Sequence, residues 1–250
     1  MRSLAIDLFC CLGGWAEGFL AEGYDVIGFD IERHRYAKPC PHCQGTGNFY
    51  RGDEDGDFLE CDCYEDSDHF GKVFSAYPGQ LVLQDVLTLH GSQFKDAAVI
   101  VASPPCTEFS YRGRYGRKRN LPVPSLGIEL FNSCYRIAGE SGRPVVIENV
   151  VWAQEFVGRA KTHWGSQYLW GDVPALLPHR NHSDFRKGDH TGLRSRFYGS
   201  RSAQRKIMTA ELSKIPFPLA QHIARVFKPD NPQRAETPVQ RETERIEASA

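Results

Sequence analysis

The chain has 250 residues, of which 41% are hydrophobic and 24% are charged, and this is enough for one α/β core with a small appendage. The formal net charge is -1, so there is no overall basic excess, and any contact with a polyanion has to come from local patches. No apolar run reaches the length of a membrane span, and no secretion signal precedes the first predicted strand, so we expect a soluble, cytoplasmic protein.

The chain begins with a predicted strand, turn and helix. Residues 4–9 read as a buried strand, Gly13 and Gly14 follow in a turn, and a helix is predicted over residues 15–21. Glycines let the backbone approach a ligand closely, and the first N–H groups of a helix can bind a carboxylate or a phosphate. This pattern is typical of a nucleotide cradle.

The next two predicted strands each end at an acidic residue. Residues 26–30 end at Asp30, and residues 81–83 are followed by Asp85. An acid about twenty residues after the glycines typically binds the ribose hydroxyls of a nucleotide, and Asp30 is the candidate. The alternative for both residues is a surface acid or a helix cap.

Residues 36–78 form an interruption that is too long for an ordinary connection between two strands. Its cysteines are Cys40, Cys43, Cys61 and Cys63. Residues 40–47 (CPHCQGTG) resemble one CxxCxGxG repeat of the zinc-binding region of DnaJ-type chaperones. Four thiolates make a closed tetrahedral zinc site, and a segment so acidic and so poor in apolar residues could hardly fold without a metal. His42 or His69 could replace one ligand, and the alternative is a disordered acidic loop with incidental cysteines.

A candidate nucleophile follows the strand predicted at residues 97–102 (AAVIVA). Pro104 and Pro105 end this apolar run, and Cys106 comes directly after them. In open α/β sheets, ligands and catalytic groups collect at the carboxyl ends of the strands. The alternative is a free cysteine that is buried as a small hydrophobic residue.

Basic and acidic residues of interest follow this loop. Residues 112–119 carry five arginines and lysines, which suits phosphate contacts, although a solvated basic loop is the alternative. A helix is predicted from about 125 to 138, and a strand over residues 144–147 is followed by Glu148. A glutamate at the end of a buried run is costly unless it is used, so we expect Glu148 at the same sheet edge as Cys106.

Three motifs together resemble those of the cytosine-5 DNA methyltransferases. They are residues 7–14 (DLFCCLGG), residues 104–110 (PPCTEFS) and residues 148–150 (ENV). The resemblance extends over roughly residues 3–36 and 80–152. The chain departs from the family at Cys11, where the family has glycine, and at Thr107, where it has glutamine.

The resemblance implies a Rossmann-like, S-adenosylmethionine-dependent methyltransferase fold and transfer of a methyl group to C5 of cytosine in DNA. It implies that Cys106 attacks C6 of the base, that Glu148 hydrogen-bonds N3 and that Asn149 helps to shape the pocket. The base would be flipped out of double-stranded DNA to reach the thiol. The cofactor-binding residues it implies are Asp7, Phe9, Gly13, Gly14, Asp30, Ile31, Asp85 and Pro104.

The resemblance predicts a catalytic domain over residues 1–228, with a zinc-binding insertion at 36–78 and a target-recognition region at 153–212. The family's Gln-x-Arg-x-Arg strand has its nearest counterpart at residues 193–197, and a final helix is predicted over 215–227. We expect the polar tail, 229–250, to be disordered. The predicted DNA-binding residues are Arg112, Arg114, Arg194, Arg196, Arg201 and Arg205.

Two alternatives remain open at the level of sequence. One is a related enzyme that acts on RNA or transfers another group to C5. The other is a catalytically silent, zinc-bearing, nucleic-acid-binding protein on a methyltransferase scaffold. The compact size suits a monomer in a phage or restriction-modification setting.

Overall fold

The computed structural model describes residues 2–39, 48–50, 58–60, 72–110, 122–175, 177–178, 210 and 213–229. The strands are β1 (Leu4–Leu8), β2 (Asp25–Asp30), β3 (Arg35–Pro39), β4 (Asn48–Tyr50), β5 (Phe58–Glu60), β6 (Lys72–Ala76), β7 (Gln80–Leu83), β8 (Ala97–Ala102), β9 (Val145–Asn149), β10 (Thr162–Trp164) and β11 (Gln167–Gly171). The helices are α1 (Gly14–Ala21), α2 (Ser125–Ser141), α3 (Gln154–Val157) and α4 (Phe217–Val226). No helix of these described stretches is long and apolar enough to cross a membrane.

Seven strands form one mixed sheet in the order β10-β11-β9-β8-β1-β2-β7. The five strands from β9 to β7 are parallel to one another, and β11 and β10 continue the sheet in antiparallel pairing. Because the parallel strands run in the same direction, the loops that follow β1, β2, β8 and β9 meet at one edge. The predicted α/β class is therefore confirmed.

Both faces of the sheet are covered, which explains why its strands are nearly continuous apolar runs. All six residues of β8 are buried. On one face, α1 and α4 pack over alternate strand residues such as Val26 and Val99. On the other face, α2 packs over the intervening residues, among them Ile6 and Ile100. The two hydrophobic layers hold the loops at the carboxyl edge on a rigid base.

The C-terminal helix α4 lies directly against α1. Gly18 permits this contact, because a Cβ atom at Gly18 would lie 2.4 Å from the backbone nitrogen of Gln221. Tyr24 donates a hydrogen bond of 2.9 Å from its buried hydroxyl to the carbonyl of Ala224. The end of the described chain is thus fixed beside its first helix.

The connection between the parallel strands β2 and β7 is unusual, because such crossovers are normally helical. Its described residues form two antiparallel pairs instead, β3 with β6 and β4 with β5. This is the predicted insertion. Cys40, Cys43, Cys61 and Cys63 lie outside the described residues, and the zinc site stays a prediction.

Two boundaries differ from those predicted. Strand β9 continues through Glu148 and Asn149 rather than ending before them, because β11 pairs with both residues. Helix α2 runs on to Ser141, and Gly142 ends it in the left-handed conformation with φ of 67°. The residues from 230 onward, predicted as a tail, lie outside the described residues.

Candidate active site at the carboxyl edge of the sheet

The strand order reverses between β1 and β8. From β1 the chain builds outward through β2 to β7 and then returns to place β8 on the other side of β1. At such a point the loops after the two central strands diverge and leave a crevice, which is where open α/β sheets bind their ligands. The loop after β1 carries the glycines, and the loop after β8 carries Cys106.

The Cys106 loop is held from both sides. The backbone N–H of Ser103 donates to the carbonyl of Leu8 over 3.2 Å. The indole Nε1 of Trp15, in α1, donates to the Ser103 hydroxyl over 3.0 Å. From the other side, Asn149 Nδ2 donates to the carbonyl of Pro104 over 2.9 Å. Cys106 itself is half-buried, at the edge predicted from the sequence.

Asn149 is bonded to the loop that carries Cys106. Its side chain is almost fully buried, with 1% exposure. Besides the bond to Pro104, its Oδ1 accepts a hydrogen bond of 2.8 Å from the N–H of Val150. These bonds position the Cys106 loop, and the predicted part of Asn149 in shaping the base pocket stays a prediction. Glu148, its neighbour in β9, is half-buried.

A further hydrogen bond joins the residues just after Cys106 to helix α2. Residues 107–110 are helical, and the carboxylate of Glu108 accepts a hydrogen bond of 2.7 Å from the N–H of Gly127 in the first turn of α2. A carboxylate at this place also interacts favourably with the helix dipole. Arg112 and Arg114 lie outside the described residues.

Of the cysteines that the structure describes, none is in a disulfide. Cys10 and Cys134 are buried, and burial raises the pKa of both thiols, that of Cys134 to about 12. A thiol with a raised pKa is a poor nucleophile at neutral pH. Cys106 and Cys11 are the two described cysteines with substantial exposure, and only Cys106 follows β8.

The loop after β1 has an unusual backbone. Phe9 and Cys11 have φ of 57° and 42°, and Gly13 has φ of 74°. The left-handed region is unfavourable for residues other than glycine, so this loop is held in shape by its surroundings. Cys11 stands where the resembled family has glycine, and it adopts a conformation that glycine takes easily.

Asp30 supplies part of that support. Its Oδ2 accepts a hydrogen bond of 2.9 Å from the N–H of Cys11, and its Oδ1 lies 3.5 Å from Nε2 of His34. Burial raises the pKa of Asp30, but the contacts with His34 and Cys11 outweigh it and lower the pKa overall. The contact with Asp30 raises the pKa of His34. The predicted ribose-binding residue thus also ties the end of β2 to the glycine-bearing loop.

Strand β1 carries a buried acidic residue, Asp7. It is 1% exposed, and among the described residues neither carboxyl oxygen has a hydrogen-bond partner. The buried hydroxyl of Tyr77 lies close enough to Asp7 to lower the pKa of the carboxyl, but the two groups do not form a hydrogen bond of normal geometry. The Tyr77 ring fills the space above Gly28. Burial raises the pKa of Asp7 well above its usual value. An orphaned buried carboxyl fits the ammonium group of an amino acid, which S-adenosylmethionine carries.

Two other predicted cofactor residues, Ile31 and Asp85, follow the ends of β2 and β7. Ile31 is 73% exposed, and its contact with a cofactor stays a prediction. Asp85 accepts a hydrogen bond of 2.9 Å from the N–H of Leu87 and caps the short helix Val86–Thr88. The helix-cap alternative for Asp85 is therefore observed.

Sequence reasoning missed three residues of this edge, Trp15, Tyr77 and His34. Only the position of Trp15, directly after the two glycines, could have indicated a contact with the loop. The predicted residues Arg194, Arg196, Arg201 and Arg205 lie outside the described residues.

Comparison with known proteins gives low-identity structural matches. No family model and no curated protein matches the chain. A prophage-encoded protein of E. coli, a candidate DNA modification methyltransferase, is 18% identical over 61% of this chain and 33% of its own, with a TM-score of 0.34. The Dnmt2 methyltransferase of S. pombe is 15% identical over 62% and 36%, with a TM-score of 0.31.

A TehB-like SAM-dependent methyltransferase from Corynebacterium glutamicum is 16% identical over 68% of this chain and 79% of its own, with a TM-score of 0.31. The chain spans about a third of the length of the first two proteins. The assignment of the site therefore rests on the residues of this chain.

Proposed function

We propose that this protein transfers a methyl group from S-adenosylmethionine to C5 of a cytosine in DNA, through a covalent bond between Cys106 and C6 of the base. The observation that carries the proposal is the placement of Cys106. A half-buried thiol lies at the reversal point of the sheet, between the glycine-bearing loop and Glu148, and three hydrogen bonds fix its loop. Rigid positioning of this kind is what a nucleophile requires.

The proposed reaction gives Cys106 and Glu148 separate roles. C5 of cytosine is a weak nucleophile, so the Cys106 thiolate adds to C6 while Glu148 protonates or hydrogen-bonds N3. The new C6–S bond breaks the C5=C6 π bond, and the enamine that results is nucleophilic at C5. Bound S-adenosylmethionine supplies an electrophilic methyl group on its sulfonium sulfur. After transfer, a base removes the proton from C5, and the C6–S bond breaks to release Cys106. The target base has to leave the duplex for this attack.

The loop after β1 is the proposed cofactor site. Asp7 would pair with the ammonium group, because its buried carboxyl has no hydrogen-bond partner in the part of the chain that the structure describes. Gly13 and Gly14 would let the backbone approach the cofactor. The other proposed contacts are Phe9, Asp30, Ile31, Asp85 and Pro104.

Zinc in the insertion remains part of the proposal on the strength of the sequence alone. Purified protein should carry about one zinc ion per chain, bound through Cys40, Cys43, Cys61 and Cys63. Metal analysis of the parent and of a Cys40→Ser, Cys43→Ser variant tests this. Because four-thiolate sites contribute directly to folding, a metal-free parent with an unchanged melting temperature would contradict it.

The test of function uses labelled S-adenosylmethionine with DNA and, separately, RNA. DNA that contains 5-fluorocytosine should be trapped covalently, because fluorine cannot leave as the C5 proton does. Cys106→Ser should abolish the trapped complex, whereas Cys134→Ala, at a buried cysteine of α2, should retain it. Transfer to RNA alone would favour the RNA alternative, and a Cys106→Ser protein that methylates at the parent rate would remove the cysteine mechanism.

Glu148→Gln separates the acid from the nucleophile. The amide keeps the shape of the side chain and can donate to N3, but it cannot transfer a proton. Adduct formation should slow by ~10²-fold or more, the usual scale of acid-base assistance. Binding of S-adenosylmethionine, measured by calorimetry, should be unchanged.

A further inference from the structure

The segment after β9 presents an exposed tryptophan at the candidate active-site edge. Trp152 is 48% exposed and Val151 is 37% exposed, while Ala153 is fully buried. The other three tryptophans of the chain, Trp15, Trp164 and Trp170, are at most 4% exposed. A large aromatic side chain that is exposed to solvent beside a candidate active site is typical of a binding surface.

The backbone beneath Trp152 is fixed. Residues Val151–Ala153 form a short helix, and the N–H of Ala153 donates to the carbonyl of Val150 over 3.1 Å. The bond between Asn149 and Val150 described above ties this helix to the Cys106 loop. Because the backbone is already ordered, contact through Trp152 would cost little conformational entropy.

One side chain joins this helix to a basic segment. Gln154 Nε2 donates to the carbonyl of Val151 over 3.3 Å, and Gln154 Oε1 accepts a hydrogen bond of 3.1 Å from the N–H of Ala160. The residues on either side of Ala160 are Arg159 and Lys161, and both are exposed. The Gln154 side chain therefore places two cationic residues beside the Trp152 helix.

A row of cross-strand neighbours extends the same edge. Asn149 pairs with Tyr168 in β11, and Tyr168 pairs with His163 in β10. The rings of His163 and Tyr168 are stacked, with centroids 4.9 Å apart and an angle of 18° between planes. His163 is exposed. The row begins at the residue that positions the Cys106 loop and ends in solvent.

We propose that these residues form a nucleic-acid contact, the aromatic-basic surface (Trp152, Arg159, Lys161, His163 and Tyr168). Trp152 stacks on an unpaired base next to the modified cytosine, and Arg159 and Lys161 bind the phosphates that flank it. Stacking on exposed aromatic side chains and cationic contacts with phosphate are the two elements of single-strand binding. Glu155 is exposed and is the one acidic residue between residues 152 and 168. Arg159 and Lys161 outweigh it, so this segment carries a net positive charge. The inference rests on the proposed function.

Nucleic acid is favoured over a protein partner by two observations. The surface is continuous with the candidate catalytic edge through Asn149. It also combines an isolated indole with cations rather than with a broad apolar area, and a protein interface would need such an area at its centre.

Tryptophan fluorescence tests the proposal on the full-length protein, because Trp152 is the one well-exposed tryptophan. A dye-labelled single-stranded DNA oligonucleotide, the matching duplex and the matching RNA are titrated, and binding is followed by anisotropy. Unlabelled oligonucleotides are then added while the tryptophan emission is recorded. We expect quenching of the emission in the parent and none in Trp152→Phe, which should still bind because phenylalanine also stacks.

Variants separate stacking from charge. Trp152→Ala should weaken binding of single-stranded DNA by roughly tenfold. Arg159→Gln and Lys161→Gln should each lower the slope of log affinity against log salt concentration by about one. The matched control is Lys95→Gln, since Lys95 is exposed and lies just before β8, at the opposite edge of the sheet. It should leave affinity and salt slope unchanged.

Failure of the aromatic-basic surface and failure of the proposed function give different results in these experiments. If oligonucleotides bind but the parent emission and the affinity of Trp152→Ala do not change, the aromatic-basic surface is wrong and the proposed function survives. If emission depends on protein concentration rather than on oligonucleotide, a second copy of the chain covers Trp152. If neither DNA nor RNA binds, both the inference and the proposed function fail.

Discussion

Asn149 donates a hydrogen bond of 2.9 Å from its buried amide to the carbonyl of Pro104, two residues before Cys106. The same side chain accepts a hydrogen bond from the N–H of Val150. One amide thus joins the end of β9 to the loop that carries the candidate nucleophile. The bond to Pro104 is buried, so each of its groups left unpaired would cost about 1–3 kcal/mol.

Replacement of Asn149 by aspartate separates the two bonds. The carboxylate still accepts from Val150 but cannot donate to Pro104, and it brings a negative charge close to a carbonyl oxygen. We expect a loss of roughly 2 kcal/mol or more in the free energy of unfolding and slower trapping of fluorocytosine DNA. Urea unfolding and trapping rates measure these effects. A variant with parental stability and trapping rate would show that the bond does not position the loop.

Asp7 should show opposite effects on stability and on cofactor binding. Asp7→Asn removes a buried carboxyl whose oxygens have no hydrogen-bond partner from any described residue, and an amide is less costly to bury than a charge. We expect a higher melting temperature together with binding of S-adenosylmethionine weakened by about tenfold or more, the usual scale for loss of a charged hydrogen bond. Thermal unfolding and calorimetry check the two effects. Unchanged cofactor affinity would exclude Asp7 from the site.

Two helical glycines should respond to alanine in opposite directions. At Gly18 the added Cβ would lie 2.4 Å from the backbone of α4, which cannot move without disturbing the helix. At Gly139 in α2, no atom of the described residues lies within 4 Å of the added Cβ. Gly139→Ala should stabilise the protein by about 0.5–1 kcal/mol, the difference in helix propensity. Gly18→Ala should destabilise it by about 1–3 kcal/mol or more. Equal melting temperatures for the two variants would contradict the close packing of α1 on α4.

The Asp30–His34 pair predicts a dependence of stability on pH. The pKa of His34 is raised, so its contribution is full below the unfolded value of about 6.5 and is lost as the pH rises through the higher folded value. The pKa of Asp30 is lowered, so its contribution is present above about 3.9 and is lost as the pH falls through the lower folded value. The pair should stabilise the protein most between about pH 4 and 6.5.

His34→Gln should therefore cost more stability at pH 5.5 than at pH 8.5. Glu32, whose carboxylate lies 3.6 Å from Nδ1 of His34, is the other charge that faces the ring among the described residues, and it favours the protonated form as well. Urea unfolding of the parent and the variant at the two pH values measures the difference. An equal loss at both pH values would mean that the contact does not depend on the charge of the ring.

The sequence alone located the central parallel strands and the loops that follow them. Apolar runs located β1, β2, β8 and β9 to within two residues, because a strand buried on both faces requires continuous apolar side chains. The same runs placed Cys106 and Glu148 at one edge, because parallel strands end together. The position of a buried strand and of the residue that follows it are properties of short segments, so a local sequence pattern can predict them.

Only the tertiary structure decided which side chains meet at that edge. Trp15 and Ser103 are 88 positions apart in the chain, Asn149 and Pro104 are 45 apart, and neither pair shows a local pattern. Asp30 was predicted to bind a ribose from its place after β2, yet its bond to Cys11 depends on the left-handed turn that this cysteine adopts. Hydrogen bonds between distant segments depend on how the layers pack, because packing sets the distance and the direction between donor and acceptor. The periodicity of the sequence contains neither this distance nor this direction.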